Sequence, residues 1–332
     1  MCREETGVFA ALTAMWIRYF CMADSNKFVA KEYENCNLCP RECNARRLEG
    51  SLGVCSESSR LMVTRAALHM WEEPCISGES GSGAVFFAGC PLKCVFCQNY
   101  EISRGTFGKE ISVERLSEIF LELQDKGANN INLVTPTHYV PHIVTAASIA
   151  REKGLIIPFV YNSSGYEKPE TLELLRGIVD VFLPDFKYME SSTAALFSKA
   201  PDYPEVAMST IDKMVDIAGA PSFDKTTGII KRGVIVRILV LPAHTNEAIK
   251  IVRYLHDKYA DNIYLSIMSQ YTPLSDIIPK GPEYDCLRRS LTKREYEKVI
   301  NAALDIGVTN AFFQEGAVNK ESFIPPFDLE GV

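Results

Sequence analysis

The chain of 332 residues has no internal repeat, no low-complexity segment and no long run of like charge. The first two absences exclude solenoids, propellers and polar linkers, and the third removes the charged tails that bind nucleic acid. No apolar run reaches the ~20 residues a membrane helix needs. The longest, Val8 to Met22, is broken by Arg18 and preceded by Arg3, Glu4 and Glu5. A secretory leader would instead begin with a positive region. The stretch reads as a short helix, or as codons ahead of an alternative initiator at Met22. A net charge of -7 argues against a general nucleic-acid binder.

Cysteine is the exception to this plainness. There are eleven. A disulfide framework suits small secreted domains, so in a chain this long the thiols point to metal chemistry in a reducing, cytoplasmic setting. Three of them, Cys90, Cys94 and Cys97, have the spacing C-x3-C-x2-C. They follow an apolar run, Ala84 to Gly89, that reads as a buried strand. Clustered thiolates are soft ligands suited to iron–sulfur or zinc. Iron–sulfur clusters of four irons usually take four cysteines, so three leave one iron open to a cofactor. Zinc would want a fourth ligand nearby, and Cys75 is the nearest further thiol.

A second group, Cys36, Cys39, Cys43 and Cys55, has pairs two and three residues apart and a fourth thiol beyond a glycine-bearing turn. It makes a four-thiolate site for zinc or for an auxiliary cluster, between which spacing does not choose, or else a set of reduced cysteines. The segment from Ile76 to Gly83 is glycine-rich, but it precedes a strand and lacks the lysine of a phosphate loop. It reads as a turn.

After Cys97 two patterns alternate. Helical spacing marks Ile111 to Lys126, Ile143 to Lys153, Pro169 to Arg176, Tyr203 to Gly219, Asn246 to Tyr259 and Thr292 to Ile306. β-Rich runs mark Asn130 to Thr135, Ile156 to Tyr161, Val179 to Leu183, Gly233 to Leu241, Asn262 to Met268 and Asn310 to Gln314. Such alternation predicts an α/β fold, a parallel sheet covered by helices, either open or curved into a partial barrel. Working groups then sit at the C-terminal ends of strands. There fall Cys90–Cys97, Thr135–His138, Asn162–Gly165, Asp185–Lys187, His244 and Gln270–Tyr271.

The cysteine trio with Phe96 before its third member resembles the radical S-adenosylmethionine (SAM) superfamily. The stretches Gly89 to Tyr100, Asn130 to Pro141, Tyr161 to Tyr166 and Asp185-Phe186-Lys187 resemble the branch of the pyruvate formate-lyase activating enzyme, in a form with a cysteine-rich lobe ahead of the cluster. Two features depart from that branch. Thr135-Pro136-Thr137-His138 stands where a G-G-E element is usual, and the extra cysteines precede the cluster motif rather than follow it.

The resemblance implies a partial (β/α)6 parallel barrel over residues 75–315. Around it lie an N-terminal extension at 1–29, a cysteine-rich lobe at 30–74 and a tail at 316–332. It implies a [4Fe-4S] cluster on Cys90, Cys94 and Cys97, with SAM chelating the open iron and yielding a 5'-deoxyadenosyl radical. The substrate would be a glycyl-radical enzyme, with a small molecule or another protein as the alternative. A flavodoxin or ferredoxin would supply electrons. A reading of another class is a non-catalytic electron-transfer or metal-binding protein.

Asp185 and Lys187 would anchor SAM or a cation, or be a solvated pair. Asn162 and Ser163 would bond the ribose or the SAM carboxylate, or shape a turn. His138 would orient the SAM amino group or the substrate, or lie at the surface. Arg237, inside a strand, requires an acidic partner in the lumen. Gln270 and Tyr271 would bond adenine or substrate. No nucleic acid and no membrane is expected among the partners.

Overall fold

The structure is a computed structural model and describes residues 30–274, 276–314 and 325–332. The N-terminal extension and the start of the C-terminal tail lie outside the described residues.

Among the described residues ten strands make the sheet: β1 (Leu61–His69), β2 (Ser82–Phe87), β3 (Lys109–Ile111), β4 (Ile131–Val134), β5 (Phe159–Ser163), β6 (Val181–Pro184), β7 (Ser222–Phe223), β8 (Ile230–Leu239), β9 (Tyr264–Met268) and β10 (Ala311–Phe313). The order is β10-β9-β8-β6-β5-β4-β2-β1-β3, with β7 pairing on β8. From β2 to β10 the main path is parallel throughout. β10 and β3 stand at opposite ends of the order, so the strands curve into an open, partial barrel. The expected α/β partial barrel is what the chain forms.

Two of the helices are capped by their own side chains. Ser112 caps Val113–Asp125 by accepting the Arg115 N–H at 3.1 Å. Thr292 and Glu295 form a capping box on Lys293–Ile306. Caps of this kind stabilise by about 1 kcal/mol. The helix Val113–Asp125 buries Val113, Leu116, Ile119, Phe120 and Leu123 against the sheet. Strand alternation sorts the two faces. Phe87, Leu133, Tyr161, Phe182 and Val236 join the large core under the helices. Val160, Val181, Leu183 and Ile235 point into the lumen, as do Phe86 and Val134.

Two expectations need correction. The sheet begins at Leu61, not at residue 75, because β1 pairs antiparallel with β2 from Val63↔Phe87 to His69↔Ser82. Strand β5 starts at Phe159 rather than Ile156, which is exposed. Pro158 precedes β5, and it has no N–H for a sheet ladder.

The end of the chain returns to β1. The Ala66 N–H donates to Glu330 O at 2.8 Å, and the Leu329 N–H to Thr64 O at 3.2 Å. Phe327 sits edge-on to Phe86, ring centroids 5.6 Å apart. Among the described residues, no helix is long and apolar enough to cross a membrane.

Candidate metal and cofactor site

The loop after β2 carries Cys90, Cys94 and Cys97, the first two of them buried. Its backbone is tied down on several sides. The Val95 N–H donates to Phe197 O at 2.8 Å and the Cys97 N–H to Cys94 O at 3.2 Å. Arg41, from the cysteine-rich lobe, donates to Pro91 O at 2.9 Å and to Ser198 O at 2.8 Å. Phe96 is fully packed, edge-on to Tyr188, Phe197 and Tyr271. The aromatic before the third cysteine is therefore a wedge that holds the loop on the barrel.

The thiols are electrostatically close to one another. Burial, then Cys94 and Cys90, push the Cys97 thiol up to about 12. Burial likewise raises Cys90, with Cys94 adding to it. Ser198 donates its hydroxyl to Cys94 Sγ at 3.1 Å. The Lys187 ammonium is one of the cations beside the trio. Burial opposes its charge, but Asp185 and then Cys94 hold its pKa above the usual value. Thiols that resist ionisation alone, yet sit together beside a cation, suit a metal that takes them as thiolates.

Lys187 belongs to a polar network across the strand ends. It pairs with Asp185 Oδ2 at 2.5 Å, and Arg237 Nε pairs with Asp185 Oδ1 at 2.9 Å. Arg237 also donates to Asn162 Oδ1 at 2.5 Å and to Glu72 Oε2 at 3.4 Å. Asn132 and Asn162 donate to Glu72 Oε1 at 3.0 and 3.4 Å. Burial would raise Asp185, but Arg237 and then Lys187 outweigh it and keep the carboxylate ionised. Burial raises both Glu72 and Glu73, opposed by Arg237. Two cations thus face three acids, and burial disfavours the charge on two of the three, Glu72 and Glu73. Glu72 and Glu73 follow β1 and enter the lumen from its floor, the N-terminal end of β2.

The residues expected at the site divide accordingly. Asp185 and Lys187 pair at the strand ends, and Lys187 lies within the field of Cys94. Arg237 finds the acidic partners its burial demands. Asn162 is in the network, with its oxygen and its amide both engaged. Ser163 is a correction: period-two alternation turns it with Tyr161 away from the lumen, and its Oγ accepts the Gly165 N–H at 3.2 Å. The neighbouring hydroxyl, Ser164 Oγ, is buried without a protein partner.

His138 is a second correction. It is buried, not superficial, and its Nε2 bonds Ala88 O at 2.7 Å, which makes it a support beneath the cluster loop. Burial and then Arg47 lower its pKa to about 3, so it is neutral. Tyr271 is buried, with its hydroxyl donating to Leu287 O. Gln270 accepts from Gln98 Nε2 at 2.9 Å through its carbonyl and from Gln314 at 2.8 Å through its side chain. Cys75 lies at the floor among Ile76, Val160 and Val181, at the opposite end from the trio. Glu72, Glu73, Ser164 and Arg41 escaped sequence reasoning. The only local sign of the first two is an acidic pair before Pro74, which also describes an ordinary turn.

The second group of thiols lies in the N-terminal lobe. Cys36, Cys39 and Cys55 are buried. Burial, with Cys55 and Cys36 adding, pushes Cys39 up to about 12 despite a bond from the Arg41 backbone. Burial pushes Cys55 up to about 11 against the pull of Arg47. A Cβ at Gly53 would stand 3.2 Å from Cys55 Sγ and 3.4 Å from Cys43 Sγ, so both sulfurs face one glycine. Among the described residues, no three His, Cys, Asp or Glu side chains converge on one point as around a single ion. That holds for both cysteine groups alike and distinguishes neither.

A parallel barrel with a three-thiol loop after its first parallel strand, at the C-terminal strand ends beside a partly buried Lys–Asp–Arg chain, defines a class of metal-dependent α/β enzymes. Residues 84–255 match the radical SAM superfamily model, and the chain belongs to that superfamily. It is 31% identical over 288 residues to the uncharacterized protein MJ0674 of Methanocaldococcus jannaschii, covering 82% of this chain and 75% of that protein. Among solved structures, SuiB of Streptococcus suis bound to the precursor peptide SuiA aligns over 69% of this chain and 47% of its own, at 13% identity and a TM-score of 0.47. A domain of a pyruvate-formate lyase-activating enzyme from Bacteroides vulgatus aligns over 53% of this chain and 92% of its own, at 13% identity and a TM-score of 0.37. Methylornithine synthase (PylB) aligns over 73% and 75%, at 14% identity and a TM-score of 0.42.

The superfamily implies a [4Fe-4S] cluster and SAM. The residues present fit both. Three soft donors stand on one loop beside a partly buried cation, and Ser164 offers an unused hydroxyl at the strand ends.

Proposed function

We propose that this enzyme activates a glycyl-radical protein. Cluster and SAM together supply reductive cleavage of a sulfonium and a carbon radical that abstracts hydrogen. The chain's own residues bind, orient and exclude water. Cys90, Cys94 and Cys97 hold the cluster, Lys187 and Asp185 fix charge beside it, and Ser164 is a ready partner for a polar cofactor group.

One observation carries the substrate class. The lumen is filled from below by Glu72, Glu73, Cys75 and Ile76 as far as Arg237, and Phe327 packs on its Phe86–Val134 wall. A small molecule has little depth in which to be enclosed. A target therefore comes to the open strand ends, as an extended segment of another protein can. A flavodoxin or ferredoxin is the electron donor, in a reducing cytoplasm. Cys36, Cys39, Cys43 and Cys55 hold a second metal centre, a cluster or zinc.

The test is isotope transfer. The reconstituted enzyme is given SAM, dithionite and a glycyl-radical protein deuterated at glycine. Deuterium in the 5'-deoxyadenosine released, with a glycine-centred radical by electron paramagnetic resonance (EPR), is the expected result. Brisk SAM cleavage that takes no deuterium from the protein refutes the reading.

A further inference from the structure

The cysteine-rich lobe touches the cluster loop through its own ligand residue. The Cys90 N–H donates to the Cys55 carbonyl at 3.2 Å. Gly89 makes this approach possible. Its φ is +80°, and a Cβ there would meet Cys55 O at 2.7 Å and Glu57 Cγ at 2.5 Å. Only glycine combines that backbone conformation with that closeness. The path from the Cys55 sulfur to the Cys90 sulfur thus runs through the covalent bonds of two residues and one hydrogen bond. The Lys93 ammonium, which reaches Ser56 Oγ, is attracted to Cys55 and to Cys90 alike.

The lobe also contains a cation that lacks an obvious counter-charge. Arg47 is fully buried. It donates twice to Ser58 O, at 3.0 and 2.6 Å, once to His138 O at 2.8 Å and once to Cys36 Sγ at 3.7 Å. None of these acceptors is a carboxylate. Glu57, the nearby carboxyl, accepts from Tyr139 at 3.1 Å instead. Tyr33, whose ring lies 4.3 Å from the guanidinium, is kept neutral by burial. A buried guanidinium requires an anion. The further acceptor it reaches is the Cys36 sulfur, which places the guanidinium against the thiol group. On the outer side, Leu52 and Val54, which flank Gly53, are 62% and 44% exposed. The far edge of the thiol group therefore lies close to the surface.

We infer that Cys36, Cys39, Cys43 and Cys55 hold an iron–sulfur cluster that relays electrons, one at a time, to the cluster at Cys90, Cys94 and Cys97 through the Cys55–Cys90 contact. The inference rests on the reading that these four thiols hold a metal. It goes further in requiring iron, since zinc has no redox chemistry. A low-potential one-electron donor protein reduces the relay. The relay passes that electron inward and returns to its oxidised state, with no bond made or broken.

The experiment uses the full chain, reconstituted anaerobically with iron and sulfide, in three forms: wild type, C39S/C43S and C90A/C94A/C97A. Wild type should carry the iron of both variants combined. Dithionite-reduced wild type should show mutual splitting of two EPR signals, absent from each variant. With a reduced flavodoxin in stopped flow, C39S/C43S should lose the fast reduction of the remaining cluster. Dithionite should still reduce that cluster fully, which shows that the variant is folded. Zinc in C90A/C94A/C97A keeps the metal reading and overturns the relay. No metal there overturns both. Iron at both sites, with unchanged flavodoxin kinetics in C39S/C43S, overturns the relay alone.

Discussion

Gly165→Ala, compared with Gly177→Ala, isolates the contact that seats Asp185. Both glycines have left-handed backbones, φ +71° and +76°. Placing a residue with a Cβ there costs about 1–2 kcal/mol. The stiffening of the unfolded chain acts on both variants alike and cancels in the comparison. The surroundings differ. A Cβ at Gly177 meets nothing within 4 Å, whereas at Gly165 it runs into the Asp185 carbonyl, with Tyr203 Oη 3.1 Å away. A backbone carbonyl cannot rotate aside as a side chain can, so the strand end must shift. Overpacking of this kind costs about 1–3 kcal/mol. Gly165→Ala should therefore lose about 1–3 kcal/mol more than Gly177→Ala in anaerobic urea unfolding. The shift also moves the carboxylate that Lys187 and Arg237 grip. SAM affinity by calorimetry should fall in Gly165→Ala and hold in Gly177→Ala. Equal stability losses and equal affinities would refute the reasoning.

Glu167 accepts from Thr137 at 2.7 Å and from Tyr161 at 3.2 Å, yet burial pushes it up to about 7 from 4.5. The folded state then binds more protons between those values, so stability falls as pH rises through that window. The penalty is complete above it, at up to about 3 kcal/mol. Glu167→Gln should flatten that slope in urea midpoints at pH 5 and pH 8, and an unchanged slope would count against burial as the cause. Asp185→Asn leaves Lys187 and Arg237 without their shared carboxylate and should cost about 3–5 kcal/mol by the same unfolding assay. A loss no larger than that of an exposed ion pair would show that Glu72 alone suffices for Arg237. Cys94→Ala should abolish 5'-deoxyadenosine formation while Cys75→Ala retains it, because Cys75 lies at the barrel floor. Equal loss in both would reinstate Cys75 as a ligand.

What could be read in advance follows the range of the interaction that encodes it. The cysteine trio is three residues within one loop, the Ser112 cap acts over three residues, and the parallel strands announce themselves by continuous apolar runs. Each signal is local, and each element was legible. Strand β1 was not. Its burial runs on both faces without clean alternation, and Arg65 and Thr64 interrupt it. Its neighbours include the chain terminus at Leu329 and Glu330, more than two hundred residues away in sequence. Ser163 failed for a narrower reason, since the turn-like Asn-Ser-Ser-Gly stretch does not reveal where the strand ends, and a one-residue shift exchanges the lumen for the helix side.

The polar residues that join the parts are the least legible of all. Glu72 meets Arg237 across 165 positions and Arg47 meets His138 across 91. An acidic pair before a proline, or an arginine in a charged stretch such as Arg46-Arg47-Leu48-Glu49, has the composition of a solvated turn. Only the fold reveals that such groups are buried, and burial changes what they must do. At the surface either would be worth a fraction of a kcal/mol, whereas inside each requires a counter-charge. Local spacing thus identified the metal chemistry. The network at the strand ends, and the contact that brings the loop of Cys55 against that of Cys90, depend on groups whose partners are distant in the chain.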